Sequence, residues 1–168
     1  MRSLSGKRAQ SSPVVRGELE ELTFTVSGRV GRPVDAVYEA VADPAQLSRY
    51  FTTGGARGRL EPGAEVSWEF ADFPGRFPVT VVEADPPRRL VIRWEGVEAM
   101  DPETTTVFEF EPIDDGARTL VTITERAWRV TPGGAENAFG NCEGWTMMLT
   151  ALKAWVEHGI NLREGFYS

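Results

Sequence analysis

The sequence predicts an α+β domain in which an antiparallel sheet packs against one long helix. Three observations lead there. Between residues 22 and 125, apolar and polar side chains alternate in short runs cut by turn signals, the pattern of strands in a meander. From about Ala135 to Leu162 there is no proline and the apolar period becomes helical. The chain has 168 residues and is 41% hydrophobic, which suits a single domain with a full core. Helices gathered on one face of an antiparallel sheet make an α+β fold.

The elements follow in order. Residues 1–18 carry Arg2, Lys7, Arg8 and Arg16 against Glu18 alone, a net +3. The chain as a whole carries −7, so the remainder carries −10. This stretch is rich in Ser and Gly and lacks an apolar period. It reads as a flexible basic arm, free or docked on a partner, ahead of one domain over 19–168. Leu22, Phe24 and Val26 then share one face, with Thr23, Thr25 and Ser27 opposite, so a strand is expected through about Val30. Pro33 suits a first helical turn, and Val34, Val37, Tyr38 and Val41 form the stripe of a short helix. Asp43-Pro44 breaks it, and Ala45 to Tyr50 gives a second short helix.

Strands and turns come next. Gly58 to Leu60 is a short strand candidate, and Glu61-Pro62-Gly63 a turn. Val66, Trp68 and Phe70 alternate on a strand. Pro74-Gly75 reads as a turn before a strand from Phe77 to Glu83. Asp85-Pro86-Pro87 turns the chain into Leu90–Trp94. Thr105–Glu111 and Thr119–Glu125 follow, joined by Asp114-Asp115-Gly116, for about six or seven strands. On the final helix Cys142, Trp145, Leu149, Leu152, Val156 and Ile160 step by three and four. About 25 helical residues span roughly 38 Å. Only the meander is long enough to cover that stripe.

Composition excludes several functions. One His and one Cys cannot build a His/Cys zinc site or an internal disulfide. A pI near 4.9 argues against a nucleic-acid module. No apolar run is long enough to cross a membrane as a helix. The first residues lack the apolar core of a secretory signal. The expected location is cytoplasmic, without membrane insertion, and no cofactor is expected.

Three stretches carry a family resemblance. They are Val34 to Leu47 with its Asp43-Pro44 break, Leu60 to Gly63 with the hairpin Val82 to Trp94, and Gly144-Trp145 with Leu149 and Leu152. In this order they resemble the START-like (SRPBCC) helix-grip superfamily, which includes the Bet v 1 allergens and polyketide cyclase-like proteins. Within it they are similar to the branch named after the Hsp90 ATPase activator. Where that branch has Trp-Phe after its second short helix, this chain has Tyr50-Phe51. The resemblance implies a curved sheet gripping the long helix of residues 135–162, with a cavity between them for an apolar or amphipathic small molecule. It carries no shared catalytic residues. Members are binding proteins, cyclases, lyases or chaperone partners.

Five Trp, nine Phe and three Tyr supply the candidate wall. Trp68, Phe70, Phe77, Val79, Ile92, Trp94, Phe108, Phe110 and Trp128 lie on the strands or just beyond them, with Trp145, Met148 and Leu152 on the helix. They either line a cavity or fill the core. Gly140 and Gly144 share one side of the helix, for close packing or for room beside a ligand. Glu69, Arg93 and Glu125 are the candidate polar groups, although a cross-strand ion pair is the default for Arg93. Catalysis has thin support. His158 sits late in the helix as a surface or capping residue. Cys142 lies on the apolar stripe with no electropositive neighbour to activate it. Trp68 to Gly75 could form a mouth to the cavity, and exposed Phe73 is a candidate homodimer contact. The sequence therefore predicts a small-molecule binding protein. A cyclase or lyase using the same cavity, or an Hsp90-type chaperone partner, are the alternatives.

Overall fold

The computed structural model describes residues 18–167. The expected basic arm falls on residues 1–17, outside the described residues. Seven strands form a single antiparallel sheet, β1 Leu22–Val30, β2 Gly55–Arg57, β3 Val66–Phe70, β4 Phe73–Asp85, β5 Arg89–Glu95, β6 Glu103–Ile113 and β7 Arg118–Trp128. Their spatial order is β1-β7-β6-β5-β4-β3-β2, so the first strand pairs with the last. Two short helices, α1 Val34–Ala42 and α2 Pro44–Tyr50, link β1 to β2, and the long α3 Pro132–His158 closes the chain. This is the expected helix-grip arrangement.

Local chemistry explains most boundaries. Asp43 accepts the Ala45 N–H at 2.9 Å, and Pro44 occupies the first turn of α2. Thr131 caps α3 by accepting the Gly134 N–H at 3.0 Å, again with a proline next in line. Gly159, at φ 68°, ends α3 by donating to the carbonyls of Ala154 and Trp155. The helix thus starts three residues before the expected Ala135 and stops short of Ile160 and Leu162. Ile160, expected on the buried stripe, is half-exposed beyond the helix end.

Two further expectations are corrected. The strand placed at Gly58–Leu60 lies instead at Gly55–Arg57, because Gly58 is held at φ 76°. Pro74-Gly75 is no hairpin turn. Phe70 pairs with Phe73 and Glu69 with Arg76, so Pro74 and Gly75 bulge out of β4 while Ala71-Asp72 makes the turn.

Trp145, Met148, Leu149, Ala151 and Leu152 of α3 are buried against Val121 and Ile123 of β7, Phe108 of β6 and Ile92 of β5. The helix runs close over β1. A Cβ added at Gly28 would stand 3.1 Å from Leu149 Cδ2, so the small residue permits the approach. Tyr38 of α1 meets Phe110 edge-on at 5.3 Å and fills the far end of the core.

Candidate functional site

A bulge near the end of β7 shapes the site. Thr119, Val121, Ile123 and Glu125 alternate inward and are all buried. β7 spends three steps between Glu125 and Trp128 where β1 spends two between Phe24 and Leu22. Ala127 takes up the extra residue at φ 74°. The phase therefore flips, and Trp128 points inward when simple alternation would turn it out.

Glu125 is fully buried. Four side chains converge on its carboxylate. Thr104 Oγ1 donates to Oε1 at 2.6 Å and Trp94 Nε1 donates to Oε1 at 3.0 Å. Trp145 Nε1 donates to Oε2 at 2.8 Å, and Asn141 Nδ2 reaches both oxygens at 3.3 and 3.1 Å. All four are uncharged donors. Without them, burial of this group would be prohibitive. With them, the two oxygens have a partner for roughly each of their four lone-pair directions. The carboxylate thereby fixes one residue on each of β5, β6 and two on α3.

Around this point the aromatic rings close. Trp145 stacks on Phe51 at 5.5 Å between centroids and meets Phe108 edge-on at 5.3 Å. Trp94 lies 5.6 Å from both Trp145 and Trp68. Beside this cluster lies a cleft of about 500 Å³ between α3, the β5 end, the β3–β4 region and the C-terminal segment. Phe51, Phe70, Phe73, Phe77, Trp94, Val97, Trp128, Trp145 and Met147 form its apolar wall. Gly140 and Gly144 open space on the helix side, where an added Cβ would meet nothing within 4 Å. Close helix–sheet packing therefore does not explain these two glycines.

The C-terminal segment closes one side. Arg163 is buried and grips the Asp72 carboxylate of the β3–β4 turn with both guanidinium arms, at 3.1 and 3.2 Å. Its guanidinium also lies 4.4 Å from the Tyr167 ring centroid. Arg163 and Tyr167 both border the cleft.

Of the expected wall residues, Phe70, Phe77, Trp94, Trp128 and Trp145 border the cleft. Trp68, Val79, Ile92, Phe108, Phe110, Met148 and Leu152 are buried in the core behind it. One step along α3 separates Met148 from Met147 and turns the latter to the cleft. Two polar candidates are corrected. Glu69 pairs with Arg76, and Arg93 pairs with Glu103 at 3.3 Å, both partly exposed on the outer face. Strand alternation puts them opposite Trp68, Phe70, Ile92 and Trp94. Glu125 is interior but stands behind the wall, touching it only through its donors. His158 is exposed and Cys142 is half-buried. Among the described residues, no group of three or more His, Cys, Asp or Glu is placed to hold a metal ion.

Sequence reasoning missed Phe51, Val97, Asn137, Asn141, Glu95, Glu136, Glu143, Arg163 and Tyr167. Only the α3 members left a signal. Asn137, Gly140, Asn141 and Gly144 recur at helical spacing beside Trp145, a face too small and polar to belong to a plain core.

Comparison with known families matches residues 32–157 to the model for activator of Hsp90 ATPase homolog 1-like proteins. The chain belongs to that family. Among solved structures, the family fold recurs in the protein SSP2350 from Staphylococcus saprophyticus, at TM-score 0.69 and 22% identity, covering 84% of this chain and 96% of that one. It recurs in the Aha1 dimer from Colwellia psychrerythraea, at TM-score 0.67 and 18% identity, covering 82% and 98%. DynU16, a protein of the dynemicin biosynthetic locus, matches at TM-score 0.67 and 26% identity over 82% of this chain but only 48% of its own. Comparison with curated proteins finds no match. No helix among the described residues is long and apolar enough to cross a membrane.

Proposed function

We propose that this protein binds an apolar or amphipathic small molecule in the cleft between the sheet and α3. The observation that carries this reading is the cleft itself, about 500 Å³ with nine apolar side chains on its wall. That volume falls within the range of small-molecule sites, and a mostly apolar wall with few polar groups is their usual lining. The network behind the wall supports the same reading. It presets the Trp94 and Trp145 rings, so a ligand need not order them on arrival. A relative encoded in a biosynthetic locus agrees with a small-molecule role.

The geometry favours binding over chemistry. Glu125 is the buried acid nearest the cleft, and its lone pairs are occupied by its own four donors. It stabilises the wall and presents no free oxygen to a substrate. The family's name connects it with a chaperone activator, and capture of an Hsp90-type ATPase by the purified chain would favour that role instead.

Native mass spectrometry of freshly purified protein tests the proposal directly. The expected result is an adduct of one small molecule per chain, absent from a Gly144→Trp variant whose cleft is filled. A clean apo mass, together with no rise in melting temperature across a broad panel of apolar compounds, overturns it.

A further inference from the structure

The polar side chains around the cleft are almost all acceptors, and this constrains the ligand's polar end. Glu95, Glu136 and Glu143 border the cleft, and none of them takes part in an ion pair among the described residues. The two asparagines on the wall each donate from the amide nitrogen to a partner within the protein. Asn141 Nδ2 is held by Glu125, and Asn137 Nδ2 donates to the Gly133 carbonyl at 2.9 Å. Neither Oδ1 accepts a hydrogen bond among the described residues, while Asn141 Nδ2 reaches both Glu125 oxygens and Asn137 Nδ2 keeps one N–H. The indole N–H groups of Trp94 and Trp145 are spent on Glu125. Among the described residues Arg163 is the only cation on the wall, and both of its arms are paired with Asp72.

The second observation is independent of the acids. Seven of the nine apolar wall residues are indole or phenyl rings, whose faces attract cations at about 6 Å or less. A neutral apolar ligand would be served equally well by aliphatic side chains. Trp128 adds one donor of a different kind. It is buried, borders the cleft, and its Nε1 has no partner among the described residues.

From this inventory we infer that the ligand is an organic ammonium, an apolar body bearing a protonated amine. The body occupies the ring-lined depth. The ammonium lies toward α3, where Glu136 and Glu143 stand two helical turns apart with Gly140 between them, about 10 Å along the axis. Among the described residues, a carboxylate ligand would meet three unpaired like charges and no unpaired cation. The inference rests on the cleft being a ligand site, and the test separates the two.

The probes are a matched series, 4-phenylbutylamine, 4-phenylbutanol and 4-phenylbutyrate, titrated calorimetrically into the full chain at low salt. The amine is expected to bind at least tenfold more tightly than the alcohol, with the acid weakest. In a Glu136→Gln/Glu143→Gln variant the amine's advantage over the alcohol falls to threefold or less. Both residues are solvent-facing, so this variant retains its fold. If the alcohol or the acid binds as tightly as the amine, the ammonium inference fails and the cleft reading stands. An amine preference that survives in the double variant also overturns it. If no member of the series binds, the ammonium inference fails; the cleft reading falls with it only when the native mass is also clean and the broad panel also gives no rise in melting temperature.

Discussion

Trp145 donates its indole N–H to Glu125 Oε2 at 2.8 Å, joining the middle of α3 to the end of β7 inside the protein. The bond couples a helix residue that borders the cleft to a strand residue that does not. Trp94 and Asn141 repeat the arrangement, so three wall residues share one hidden anchor. Hydrogen bonds to a charged group each contribute about 1.5–3 kcal/mol.

Replacing the anchor therefore damages the wall before anything else. Glu125→Gln keeps the size but substitutes an NH₂ for an acceptor, leaving at least one indole N–H facing another donor. The expected loss is about 2–4 kcal/mol of stability. Urea unfolding followed by circular dichroism measures it. A loss under 0.5 kcal/mol, on the scale of an ordinary surface substitution, would contradict the role assigned to Glu125.

Gly140 and Gly144 should behave unlike buried glycines. Each occupies a helix interior with open space where a side chain would go. Alanine at either position is expected to raise stability by about 0.5–1 kcal/mol, since glycine is costly in a helix. Gly144→Trp should fold normally and lose ligand binding. Thermal melts with and without ligand check both outcomes.

Arg163→Ala removes the clasp between the C-terminal segment and the β3–β4 turn. It leaves Asp72, itself largely buried, without its cation. The expected effects are a loss of about 1–3 kcal/mol and faster amide exchange across residues 159–167. Hydrogen exchange with mass spectrometry reads the second effect segment by segment. Unchanged protection there would show that the clasp does not hold the segment.

Acid sensitivity follows from two carboxyls. Glu157 is held below its ordinary value of 4.5, first by the hydrogen bond from Lys153, with the Gly31 N–H adding to it and burial opposing. Glu39 is lowered by its hydrogen bonds from Arg59. Both are depressed in the folded state. Their contribution is therefore complete above about pH 4.5 and is lost as pH falls through the folded-state values. Glu157→Gln should flatten part of the decline in unfolding free energy below pH 4.5 and leave the Glu39 part in place. An unaltered slope between pH 4.5 and 2.5, measured by urea titration, would count against this account.

How much of this was legible depended on periodicity. Strand alternation at Val66-Trp68-Phe70 and helical spacing at Trp145-Leu149-Leu152 revealed the sheet, the helix and their contact. Glu125 was one of three polar candidates with Glu69 and Arg93, and strand alternation with Val121 and Ile123 separates it from the other two as the buried one. What escaped was whatever broke the period. Ala127 adopts a positive φ that its residue type does not advertise, so Trp128 was expected on the wall for its ring alone and the bulge that turns it inward had no sequence signal. Arg163 lies in an aperiodic tail, and its partner Asp72 is 91 residues away. Met147 and Met148 are chemically identical neighbours, and only the exact roll of α3 decides which one faces the cleft.

The pairing of β1 with β7 has a consequence for how the chain is made. Leu22 aligns with Trp128 and Val30 with Thr119, so the first strand has no strand partner until about a hundred more residues have been synthesised. Contacts of such separation are slow to form. On the ribosome β1 is an orphan edge, and its alternating apolar face must stay covered or soluble while β2 to β6 assemble. Seating of β1 and docking of α3 over Gly28 are thus the same late event. The cleft, which α3 completes, comes into being only at the end of folding.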